Sequence, residues 1–77
     1  MKRYFFRANY RGITVNDDIG EEFSMLHDAE VFATVVANEL ARNQTQVVTV
    51  FVLGEDGILL ATIVASADGL CDVRRAG

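Results

Sequence analysis

The chain has 77 residues, 51% of them hydrophobic, with a formal net charge of −4, one cysteine, one histidine and no proline. That length makes one domain, near the lower limit at which a chain supplies its own core. The lone cysteine excludes an intramolecular disulfide, one Cys with one His cannot build a metal cluster without leaning on carboxylates, and the acidic balance disfavours non-specific attraction to nucleic acid or anionic membranes.

From the N-terminus, Arg3 to Ala8 carries aromatics at strand density. Tyr4, Phe6 and Ala8 share one side, and Phe5, Arg7 and Asn9 the other. Asn9-Tyr10-Arg11-Gly12 supplies turn chemistry, and Ile13-Thr14-Val15 alternates as a short second strand, so a hairpin is expected here. Asn16-Asp17-Asp18-Ile19-Gly20 is a polar loop. Ser24 is the expected N-cap of a helix that continues to Asn43. Leu26, Ala29, Ala33, Val36 and Leu40 recur on it at three- and four-residue steps. Val31, Phe32 and Val35 widen the apolar stripe beyond what a surface helix requires.

Two apolar runs follow, Val47 to Leu53 and Ile58 to Ala65, joined by Gly54-Glu55-Asp56-Gly57. The Asp56-Gly57 pair marks a hairpin turn. Both strands are apolar on both faces, whereas a sheet with one solvated face alternates cleanly between apolar and polar. Ser66-Ala67-Asp68-Gly69 ends the second strand. Residues 70–77 read as a short mixed tail of the kind that is often disordered at a terminus.

The expected fold is therefore α+β in the order β-β-α-β-β, a single domain over residues 1–77. It has a four-stranded, mostly antiparallel sheet with one helix packed on one face. The apolar runs around a single helix leave surface in need of a partner, and Val50, Phe51, Ile63 and Val64 are candidates for it.

Arg3-Tyr4-Phe5-Phe6, the glycine turn at Gly12, Asp17-Asp18-Ile19-Gly20-Glu21-Glu22-Phe23, the helical pair Leu26 and Ala29, and Glu55-Asp56-Gly57 before an apolar strand form a recognisable series. In this, roughly from Arg3 to Val64, the chain resembles a family of small bacterial proteins of unknown function. It departs from that family in lacking loop prolines, with Ser24 where a proline is common, and in a helix richer in Val and Phe. The resemblance implies a small cytosolic module and brings no activity with it.

No residue set reads as catalytic, cofactor-binding or metal-binding. Asp17, Asp18, Glu21 and Glu22 are the densest acidic group, but they lack the alternating spacing and closing Glu of a calcium loop. His27 has the one side chain with an ordinary pKa near neutrality. Ser24 and Asp28 lie near it in sequence, but three residues of one helical turn cannot splay into a proton relay. Gly54-Glu55-Asp56-Gly57 lacks the Lys-Ser/Thr ending of a phosphate loop and precedes a strand.

The leading expectation is a small cytoplasmic, non-enzymatic interaction module without a cofactor, self-associating as a homodimer or binding another protein. An alternative is nucleic-acid binding through the basic, aromatic N-terminal hairpin, with Arg7 and Arg11 carrying it. A small enzyme using His27 is the third expectation. The basic start has too short an apolar core for a secretory signal, and neither apolar run reaches the length of about 18 residues of a membrane span.

Overall fold

The computed structural model describes residues 1–76; the last residue of the expected tail, Gly77, lies outside the described residues. The elements run β1 (Lys2–Tyr10), β2 (Ile13–Asn16), β3 (Glu21–Phe23), α1 (Leu26–Gln44), β4 (Val48–Leu53), β5 (Leu59–Ala65) and β6 (Cys71–Arg75). The fold is α+β, with one helix on one face of an antiparallel sheet ordered β2-β1-β4-β5-β6. The long strand β1 shares its free edge between two short strands. Its start pairs with β3, Lys2 opposite Phe23, and its end pairs with β2, Tyr10 opposite Ile13.

The sheet thus has six strands and not the expected four. The segment Glu21–Phe23 is too short and too acidic to signal a strand, and it extends only because β1 offers it a ladder. Residues 71–75 are not a loose tail: β6 pairs along β5, Ala65 opposite Cys71 and Ala61 opposite Arg75. All five residues of β6 are exposed, so burial leaves no apolar alternation there to read. The turn between β1 and β2 takes Arg11 and Gly12 to φ of 54° and 72°. Two successive left-handed residues give the two-residue hairpin turn that matches strand twist.

The N-cap of α1 is Met25, in extended conformation and without a side-chain capping bond. Ser24, the expected cap, donates from its hydroxyl to the Asp28 carboxylate at 3.3 Å. At the other end Thr45 adopts a left-handed conformation and its N–H bonds back to the Ala41 carbonyl.

The helix meets the sheet through a ridge of alanines. Ala29, Ala33, Ala37 and Ala41 are fully buried, and they stand against Val48, Val50 and Val52 of β4 and Ala61, Ile63 and Ala65 of β5. Small helix residues let the backbone come close, so that the valines and Ile63 fill the space between layers. This places the contact ridge one helical step away from the expected Val36 and Leu40, which flank it half-buried. It also corrects two of the partner-face candidates: Val50 and Ile63 point at the helix and are core. Val64 and Phe51 lie on the opposite face, exposed and half-buried respectively.

Candidate interaction surface

An α-helix is about 10–12 Å across and neighbouring strands are about 4.8 Å apart, so one helix covers about two strands. Here α1 lies over β4 and β5. The β1–β2 hairpin is left as a ledge on the same side of the sheet. Register fixes which residues line it: Ala8 is opposite Val15 and Tyr10 opposite Ile13, and residues directly opposite share a face. Ile13 and Val15 are 51% and 50% exposed although they point to the helix side.

Between ledge and helix runs an apolar groove of about 270 Å³, lined by Phe6, Ala8, Tyr10, Val15, Phe32 and Val36, among others. An aromatic cluster closes one end. Phe32 packs on Phe6 at 5.1 Å and on Phe23 at 5.6 Å between ring centroids, with Tyr4 6.2 Å from Phe23. Further round the helix from Phe32 stand Val35 and Val31, each 51% exposed. Edge strand β2 carries no charge, being Ile-Thr-Val-Asn, whereas the opposite edge β6 carries Asp72, Arg74 and Arg75. Charges on an edge guard it against pairing with another chain, so the β2 side is the unguarded one.

The outer sheet face is more mixed than its two apolar runs suggest. Arg7 stands opposite Phe51, Phe51 opposite Thr62, and Thr62 opposite Arg74, so arginines and threonines interrupt the apolar surface.

The polar candidates are dispersed. Asp17 accepts from the N–H groups of Ile19 and Gly20 at 3.1 and 3.0 Å and shapes the loop. Glu22 pairs with Arg3 at 3.4 Å. Among the described residues no three or more His, Cys, Asp or Glu side chains are grouped to hold a metal ion. His27 is exposed in the first turn of α1, and Ser24 bonds to Asp28 instead of to it. Cys71 is exposed at the far end of the sheet, beside Ala65, whose other neighbour Val48 follows the C-terminus of α1. Gly54–Gly57 is a turn in which the Asp56 carboxylate accepts from the Ile58 N–H at 3.0 Å.

The basic, aromatic hairpin does not form one surface. Tyr4 and Phe6 are in the core. Arg7 donates to the Asn16 side chain on the outer face at 2.9 Å, while Arg11 donates to the Gln44 carbonyl at the C-terminus of α1 at 3.2 Å. The groove and the ledge, by contrast, are assembled from residues of four elements, and only the unusual width of the helical stripe hinted at them.

Comparison with known proteins bears on most of the chain: a domain of unknown function, DUF6894, matches residues 3–66. The chain belongs to the DUF6894 family. No curated protein and no solved structure matches it. The DUF6894 match runs from the second residue of β1 through β5, takes in the groove and the ledge, and ends before β6. Among the described residues of this DUF6894 chain no helix is long and apolar enough to cross a membrane.

Proposed function

We propose that this DUF6894 chain is a small, non-enzymatic interaction module of the bacterial cytosol that associates with a second copy of itself. The observation that carries the reading is the concentration of exposed apolar side chains on one flank of the molecule. It runs from Ile13 and Val15 on the ledge through Phe32 to Val31 and Val35 on the helix. A monomer's largest apolar patch is ordinarily about 300–600 Å² and often functional. Five large side chains, each a third to a half exposed, lie on this flank, and Val15 and Phe32 among them line the groove. A short chain near the lower size limit of an independent core also gains stability from burying more apolar surface in a dimer.

Light scattering over a concentration series tests this. A mass of twice 8.5 kDa at micromolar concentration is the expected result. A chain that remains at its single mass up to millimolar concentration overturns self-association.

A further inference from the structure

Asp28, Val35 and Arg42 lie on one line along α1. Seven residues separate each from the next, and an α-helix returns to within about 20° of its starting direction in seven residues. All three side chains are exposed, on the side of the helix away from the alanine ridge. Val31, one turn before Val35, and exposed Glu39, one turn after it, border the same line on either side. A two-fold axis at Val35 sets each Glu39 against Val31 of the other copy and not against a second carboxylate. The line is therefore an apolar centre with a negative charge about 10.5 Å towards the N-terminus and a positive charge the same distance towards the C-terminus.

Neither charge has an ionic partner of its own. Among the described residues the ion pairs are Arg3–Glu22, Arg74–Asp72 and Arg75–Glu30. Asp28 accepts, among the described residues, the Ser24 hydroxyl alone. Within one helix the two charges merely complement the macrodipole. Between two copies they do more. Antiparallel helices related by a two-fold axis at Val35 set each Asp28 against Arg42 of the other copy, twice, with the valines in the middle. A parallel pair would set like charge against like. An interface between identical patches is also the kind that closes into a dimer.

We propose that a second copy docks on α1 with its own α1 antiparallel, crossing at Val35, so that Asp28 of each copy faces Arg42 of the other. This rests on the self-association proposed above and adds to it the docking surface and its register. Two valines alone fall short of the roughly 800 Å² per partner of a standard interface. The contact therefore extends from Val31 and Val35 through Phe32 to Val15, which lines the same groove, and on to exposed Ile13 of the same strand.

The test uses the full chain carrying Cys71→Ser, which removes the exposed thiol. Val35→Cys in that background forms a symmetric disulfide-linked dimer on mild oxidation, because a two-fold axis at this position brings the two thiols together. Asp28→Arg and Arg42→Asp each turn two attractions into two repulsions and weaken the dimer about tenfold or more by light scattering. The double variant Asp28→Arg/Arg42→Asp restores it. A dimer that cross-links through Val15→Cys but not Val35→Cys, or a double variant as weak as the singles, overturns the antiparallel register while self-association stands. A parent chain that is monomeric overturns both. Circular dichroism confirms that each variant is folded, and the cross-link is decisive should either charge reversal unfold the helix.

Discussion

Arg75, on the edge strand β6, grips the buried carboxylate of Glu30 on α1 with two hydrogen bonds, Nε to Oε2 at 2.8 Å and Nη2 to Oε1 at 2.9 Å. Glu30 is 6% exposed on the sheet-facing side of the helix, where an unpaired charge would be strongly unfavourable. The planar guanidinium matches both carboxylate oxygens at once. The same hydrogen bonds, together with the charge of Glu30, hold Arg75 further above its ordinary pKa. This clasp ties the last strand to the helix and explains why residues that look like a tail are part of the sheet.

Removing the clasp has a direction. Arg75→Ala leaves the Glu30 carboxylate buried without its donor, so thermal denaturation shifts down by several degrees. Amide exchange in β6 rises before that of β4. Arg75→Lys recovers only part of the loss, because an ammonium cannot bridge both oxygens.

The alanine ridge sets the distance between helix and sheet. Ala37 is fully buried against the β4–β5 layer. Ala37→Leu therefore overpacks the interface and lowers the unfolding free energy by about 1–3 kcal/mol in urea denaturation.

Two glycines at positive φ separate backbone strain from crowding. Gly20 at 77° would place a Cβ 2.7 Å from the Tyr4 carbonyl oxygen, while Gly57 at 81° has nothing within 4 Å. Both substitutions to alanine incur a left-handed backbone cost of about 1–2 kcal/mol. Gly20→Ala must also push β1 away. Its loss of stability exceeds that of Gly57→Ala by at least about 1 kcal/mol, and equal losses would refute the close approach.

The β5–β6 turn responds to acid. The Ser66 hydroxyl and the Leu70 backbone donate hydrogen bonds that hold the Asp68 carboxyl below its ordinary value of 3.8. Its small stabilising effect is therefore complete above that value and fades as pH falls through the lower folded value. The expected outcome of an NMR titration of Asp68 is a midpoint below 3.8 in the parent chain. Ser66→Ala moves that midpoint up.

The sequence by itself determined the α+β class, the central hairpin, the helix and the N-terminal hairpin. Each of these is written in local chemistry: two apolar runs of strand length around the Asp56-Gly57 turn, three- and four-residue apolar spacing over 26–40, and glycine where φ is positive at Gly12 and Gly57. It also carried the clue of too much apolar surface for one helix. Only the tertiary structure decided the two extra strands, because β3 and β6 are short, polar and exposed and exist through their partners β1 and β5. It likewise decided that Ala37 and Ala41, rather than Val36 and Leu40, form the contact ridge, and that Val50 and Ile63 belong to the core. Periodicity gives the phase of a stripe but not the side from which a sheet approaches it. That side is chosen by close packing, which places small residues where backbones approach and leaves Val31, Val35, Ile13 and Val15 to face outward.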